Sequence, residues 1–222
     1  MLDQLQIGMK HSYDDFEASI CKRKIGNPKK KIIKESVPFS NLSYDFSDID
    51  GECYYEEREL EYTFEITADT PEKLEELKMN FSSWVMNTMR ERLYDPFVKK
   101  YYFLATFEDI SFDDDESIEK TTATVKFKAY PYKIAIEGKG NMMQISKDIS
   151  SLVVQNNSSH PVIPTLNADV ACQVTIGNLT YGMPAGTVKD ETIKLAIGTN
   201  EIKVKATESE GWLAIEFSEE VF

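Results

Sequence analysis

The side chains able to carry chemistry are few and scattered. Of the two histidines, His11 and His160, the second precedes Pro161 in a polar stretch, where a solvated imidazole is the natural reading. Cys21, Cys53 and Cys172 are odd in number and far apart, with no CxxC pair and no zinc spacing, so isolated reduced thiols are expected. Asp45, Asp48 and Asp50 approach a calcium-loop pattern. They lack flanking helices and a glutamate at the twelfth position, which leaves a solvated turn. No nucleophile elbow, HExxH pair, phosphate loop or dinucleotide fingerprint occurs. With 38 Asp and Glu, chance neighbours among carboxylates are unavoidable, and nothing nominates a glycosidase pair. Trp84 sits on an apolar helical stripe and belongs in a core. Trp212 opens a strand, where core packing and a sugar-stacking platform both stay open. The sequence offers no catalytic, cofactor-binding or metal-binding set, so an enzyme is not expected.

Composition points the same way. A chain of 222 residues with 41% hydrophobic and 28% charged residues is of the globular type. A formal net charge of -13 argues against sequence-specific binding to nucleic acid, which needs clustered cations. No apolar run approaches the ~20 residues that cross a bilayer, and Met1-Leu2-Asp3-Gln4-Leu5 lacks the regions of a signal peptide, so no membrane insertion is expected.

The elements that must position these residues centre on Arg58–Val85. Leu60, Tyr62, Phe64 and Ile66 alternate with Glu59, Glu61, Thr63 and Glu65, the period of a half-buried strand. Asp69-Thr70-Pro71-Glu72 then supplies a cap, a first-turn proline and early negative charge. Leu74, Leu77, Phe81, Trp84 and Val85 follow at helical spacing, so a sheet must cover that stripe. Before this unit, Lys22-Arg23-Lys24 and Lys29-Lys30-Lys31 flank Gly26-Asn27-Pro28, which reads as a solvated basic hairpin or arm. Residues 37–55 mix turn formers with Phe39, Tyr44, Phe46, Tyr54 and Tyr55, a long loop or broken strand pair with Asp50-Gly51 as a turn.

After the helix, Tyr101–Phe107 and Ala123–Ala129 read as two strands joined at the acidic tip Asp113-Asp114-Asp115-Glu116. This makes an α+β first domain over 1–138, a mostly antiparallel sheet with one packed helix and a hairpin. Residues 139–150, within a stretch from Ile136 to Ser151 that carries Gly138, Gly140, Asn141 and several serines, are expected to link it to an all-β domain over 151–222. There, short strands near 162–166, 172–176, 192–196, 201–206 and 212–217 alternate with turn signals.

With these residues laid out, the chain resembles the distal tail protein family of tailed bacteriophages and phage-derived particles. The resemblance covers nearly the whole length. It rests on Lys10-His11-Ser12-Tyr13-Asp14-Asp15-Phe16, the basic stretch ending at Pro28, Val37-Pro38, and Tyr54-Tyr55-Glu56-Glu57-Arg58. It continues through the Trp84 helix, Asp95, Tyr101-Tyr102, Phe127-Lys128-Ala129-Tyr130-Pro131-Tyr132 and Gly198-Thr199-Asn200-Glu201-Ile202-Lys203-Val204. One departure is plain: where the family has a glycine-rich turn after Val-Pro, this chain reads Phe39-Ser40-Asn41-Leu42-Ser43.

The resemblance implies a virion structural protein of the tail tip or baseplate, made in the host bacterial cytoplasm. It implies a hexameric ring between a tail tube protein and a tail-associated hub protein. First domains would form the ring, and a galectin-like β-sandwich would lie outside, where receptor-binding proteins attach. DNA would pass through an acidic lumen, for which Glu59, Glu61, Glu65, Asp113, Asp114, Asp115 and Glu116 are the candidate carboxylates. Lys22, Arg23, Lys24, Lys29, Lys30 and Lys31 are the candidate subunit or tube contacts. The alternatives are a carbohydrate-binding tail-tip module that contacts host cell-wall glycans and a glycan-cleaving tail enzyme.

Overall fold

The computed structural model describes residues 3–47, 51–114 and 119–222. Asp48, Asp50, the Asp50-Gly51 turn, Asp115 and Glu116 therefore lie wholly or partly outside the described residues. The chain divides into two units, Met1–Lys133 with Phe222, and Ile134–Val221.

In chain order the first unit carries β1 (Gln6–Ile7), β2 (Lys10–His11), α1 (Ser12–Phe16), β3 (Ala18–Ile25), β4 (Lys34–Ser36) and β5 (Ser43–Asp45). It continues with β6 (Arg58–Thr67), α2 (Pro71–Met86), β7 (Glu91–Tyr94), β8 (Tyr101–Asp114) and β9 (Lys120–Ala129). One sheet runs β2-β1-β7-β8-β9-β6-β3, with antiparallel pairing at each step whose register follows the alternation. Leu60, Tyr62, Phe64 and Ile66 of β6 are fully buried, because a strand of period two sends every second side chain to one face.

That face is roofed by α2. The Thr70 hydroxyl accepts from the Lys73 N–H, Pro71 occupies the first turn, and Leu74, Phe81 and Val85 drop into the core with Leu77 and Trp84 at its margin. Phe81 meets Phe64 edge to face at 5.1 Å, and Trp84 stacks on Phe16 of α1 at 4.8 Å. Trp84 is thus a core residue.

One expectation changes here and another narrows to the strand pair. Lys22-Arg23-Lys24 form no arm: they lie in β3, paired with β6 as Lys22↔Thr63 and Lys24↔Glu61. Alternating apolar Ala18 and Ile20 dock this strand, and a bulge at Cys21 lets the basic half continue along the same partner. The long stretch after it closes as a hairpin of β4 and β5, in the register Lys34↔Asp45, Glu35↔Tyr44, Ser36↔Ser43.

β10 (Lys133–Ala135) lies at the division. The second unit then holds β11 (Lys139–Ile145), β12 (Ser150–Asn156), β13 (Thr165–Ala168), β14 (Cys172–Ile176), β15 (Leu179–Met183), β16 (Gly186–Val188), β17 (Gly198–Ala206), β18 (Gly211–Phe217) and β19 (Glu220–Val221). Among the described residues two four-stranded sheets form, β11-β18-β13-β16 and β12-β17-β14-β15. Ile145, Leu166, Leu213 and Ile215 from the first sheet join Val154, Val174, Ile202 and Val204 from the second in one core.

Residues 139–150, expected as a link, hold β11, which pairs with β18 along its whole length. Gly140 and Asn141, which suggested a loop, fall on an edge strand whose wet row is Gly140, Met142 and Gln144. The expected strand at 192–196 reduces to an isolated bridge between Leu195 and Val162.

Candidate functional site

Exposed apolar surface in the first unit gathers on the β4–β5 hairpin. Its register places Ile33, Glu35 and Val37 on the same face as Phe46, Tyr44 and Leu42. Leu42 is 73% exposed and Tyr44 65%, and Ile33 and Phe46 are exposed as well. The opposite face carries Lys34 and Asp45, an ion pair at 3.6 Å. At the base, the Ile33 N–H donates to the Ser47 hydroxyl, while the Ser47 N–H and hydroxyl donate to Asp45 Oδ1 and hold that carboxyl below its ordinary range. Lys29, Lys30 and Lys31 run beside Tyr54, Tyr55 and Glu56 through backbone bonds, which continues the ribbon toward the sheet.

The tip is a tight turn closed by the Ser40 N–H on the Val37 carbonyl, with Pro38 at its second position and Phe39 at its third. Phe39 has φ +61° and is fully exposed. That backbone region favours glycine, so a bulky aromatic there is strained. A two-stranded ribbon with an uncovered apolar face is marginal in water by itself.

A second surface is the face of the large sheet turned away from α2. Glu59, Glu61 and Glu65 lie on it with Glu108, Asp109 and Asp113, and so do Lys22, Lys24, Lys120, Lys126 and Lys128. Lys128 Nζ sits 2.9 Å from Glu59 and 3.5 Å from Glu108, and Lys120 Nζ sits 2.6 Å from Glu65. The hydrogen bond from Lys128 holds the Glu59 carboxyl below its usual range. The candidate lumen carboxylates Glu59, Glu61, Glu65 and Asp113 therefore share a face with five lysines, one fewer than the six carboxylates there once Glu108 and Asp109 are counted. A shallow groove on it is walled by Lys24, Glu61, Glu108, Asp109 and Lys126.

Arg23 points the other way. Its guanidinium contacts Asp3 and lies 3.3 Å from the fully buried Asp95, over the Phe97 ring. The buried Asp95 and the exposed Asp3 of the same chain occupy it, so it leaves the set of outward contacts, while Lys22, Lys24, Lys29, Lys30 and Lys31 stay at the surface. Asp95 also accepts the Phe97 N–H at 2.9 Å. Burial, together with the Asp95 carboxylate, pushes the Tyr62 hydroxyl well above the ordinary tyrosine range. Arg58, missed by sequence reasoning, is fully buried and donates its Nε to the Pro131 carbonyl at 2.8 Å. Its only sequence signal was its place at the start of β6.

The outward stripe of α2 was missed as well. Glu72, Glu75 and Glu76 in its first half are followed by Met79, Ser83 and Met86, all exposed, at helical spacing. The residues first weighed for chemistry stay apart: His160 Nε2 sits 2.8 Å from Glu220, Cys172 is buried, and Cys21 and Cys53 are exposed. Among the described residues no group of three His, Cys, Asp or Glu side chains could hold a metal ion. Trp212 lies on the outward side of β18, opposite Gln144, and its backbone N–H donates to Asp169 Oδ1 at 2.7 Å. Among the described residues no helix is long and apolar enough to cross a membrane.

No protein-family model matches the sequence. No curated protein matches it either. The fold does have solved counterparts. The crystal structure of the Dit protein of phage SPP1, described as a paradigm of the hub adsorption apparatus in phages infecting Gram-positive bacteria, matches with a TM-score of 0.72 at 12% identity, over 100% of both chains. A chain of the phage p2 baseplate in its activated conformation with strontium aligns at a TM-score of 0.48 and 9% identity, over 98% of both chains. The calcium form of that baseplate gives 0.44 and 8%, over 97% of this chain and 98% of that one. The mostly antiparallel fold described above is thus shared, end to end, with the SPP1 Dit protein.

Proposed function

We propose that this chain is a structural, non-catalytic component of a phage tail tip, a distal tail protein that assembles as a ring of six copies. In this reading the first unit builds the ring, with the tail tube protein on one side and the tail-associated hub protein on the other. The second unit is a galectin-like sandwich on the periphery, a place for receptor-binding proteins. The observation that carries the reading is the full-length fold shared with the SPP1 Dit protein. The hairpin supports it, because a ribbon with an uncovered apolar face calls for a neighbour.

The open sheet face is the proposed wall of the DNA path. Like charge repels phosphate, but the lysines on that face leave the carboxylates only a slight excess. The repulsion then falls to the net charge of -13, to which the sequence run from Asp113 to Glu116 contributes. Lys22, Lys24 and Lys29–Lys31 are the proposed contacts to neighbours or to the tube.

Light scattering after size exclusion, with electron microscopy of the peak, tests the ring. Annular particles at six times the protomer mass are expected; a protomer that stays single at every concentration overturns the reading. A second reading, glycan binding, has one observation in its favour: Trp212 belongs to an outward sheet face instead of the core. Binding of the full chain to purified cell-wall glycan, lost in Trp212→Ala, supports it, and no binding by the native chain removes it.

A further inference from the structure

The hairpin and the outward stripe of α2 match each other in chemistry and order, and nearly in length. Along the hairpin the exposed cations Lys29 and Lys31 come first, then the mainly apolar face, with Glu35 beside Tyr44, that ends in Leu42 and the Phe39 tip. Along α2 the exposed acids Glu72, Glu75 and Glu76 come first, then Met79, Ser83 and Met86. The extended stretch from Lys29 to Val37, level with Leu42, covers about 26 Å, and Glu72 to Met86 covers about 21 Å of helix. Both surfaces stand open in the protomer: Met79 is 65% exposed, Met86 56%, and the hairpin carries Leu42 and Tyr44 uncovered. One chain therefore bears both halves of a complementary pair: both apolar halves stand uncovered, while at the acidic end Glu75 already meets Lys78 Nζ at 2.9 Å and Lys73 lies among the acids.

We infer that the occupant of the α2 stripe is the hairpin of a second copy of this chain. Lys29 and Lys31 lie along the Glu72–Glu76 end, and Leu42 and Tyr44 rest on the thioethers of Met79 and Met86. Flexible, polarisable methionines accept aromatic partners well, and the charged ends set the direction in which the ribbon lies. Because the two surfaces differ, the contact is head to tail: each copy gives a hairpin and receives one. Such a contact closes into a ring when its rotation permits. The inference rests on the ring reading above and names the surfaces that would close it.

The test uses two full-length variants, Leu42→Glu with Tyr44→Glu on the hairpin, and Met79→Glu with Met86→Glu on α2. All four positions are exposed, and a circular dichroism melt checks that each variant folds. Each alone should need at least about a hundredfold more protein to form larger species, the loss of two good apolar contacts. Mixed in equal amounts, they should form dimers and stop there, since one intact hairpin meets one intact stripe and the other two ends are blocked. The contact is overturned while the ring reading survives if the native chain assembles and either variant assembles as well as it does. The same holds if the mixture yields no dimer. A native chain that never assembles overturns both.

Discussion

At the scale of single residues, Phe39 and Tyr62 carry the most information. Phe39 holds a glycine-type turn position, φ +61°, with its ring wholly in water. Strain and exposure together gain the protomer nothing. Phe39→Gly should stabilise the isolated chain by about 1 kcal/mol and at the same time weaken assembly. Denaturant melts of dilute protein, set beside the concentration dependence of scattering, read the two effects, and a variant that assembles like the native chain removes any role for the ring. Tyr62 answers to pH. Its hydroxyl is buried beside Asp95, so its folded pKa stands above the unfolded one. The stability linked to it is complete below the unfolded value and is lost as pH climbs toward the folded one. Each pH unit in that alkaline window should cost about 1.4 kcal/mol, and Tyr62→Phe should flatten that limb in urea midpoints measured from neutral to alkaline pH. Neither residue declares itself in sequence. Phe39 looks like one more loop aromatic, and Tyr62 like one more apolar position on a strand.

At the scale of elements, legibility followed how far local pattern and tertiary packing agreed. β6 and α2 were readable because each has one wet face and one buried face, so the alternation and the helical stripe survive in the sequence. The cap was readable too. Thr70→Ala should remove the acceptor for the Lys73 N–H and cost about 1 kcal/mol in the melting of the first unit, whereas Thr70→Ser should cost far less. β11 was not readable, since the residues it turns inward include Lys139 and Asn141 beside Met143 and Ile145, and Gly140 interrupts the outer row. The β4–β5 hairpin hid for a different reason. Its apolar face packs on nothing in the protomer, so the aromatics of 37–55 showed no core to organise them, and only the pairing register lines them up. The basic residues split along the same division: Arg23 is turned inward by Asp3 and Asp95, partners distant in sequence that no local pattern could reveal.

At the scale of the whole molecule, the two units should respond differently to crowding by their own kind. Each has its own core, Leu60, Phe64, Phe81 and Phe127 in the first and Val174, Leu195, Val204 and Ile215 in the second. Both proposed self-contacts, the β4–β5 hairpin and the α2 stripe, belong to the first. Association that engages only the folded form raises apparent stability by mass action, and does so only for the structure that must be folded to associate. Calorimetry of the native chain should therefore resolve a transition whose midpoint climbs with protein concentration and another that does not move. The variant carrying Leu42→Glu and Tyr44→Glu should pin the mobile transition in place without shifting the fixed one. Salt adds a second handle. If Lys29 and Lys31 face the acids of α2 across the contact, raising ionic strength screens them and should reduce the climb, while an assembly held by apolar contact alone would keep it. A midpoint that moves with concentration for both transitions together would place the self-contact in the second unit as well, and the head-to-tail pairing drawn from the first would then be the wrong one.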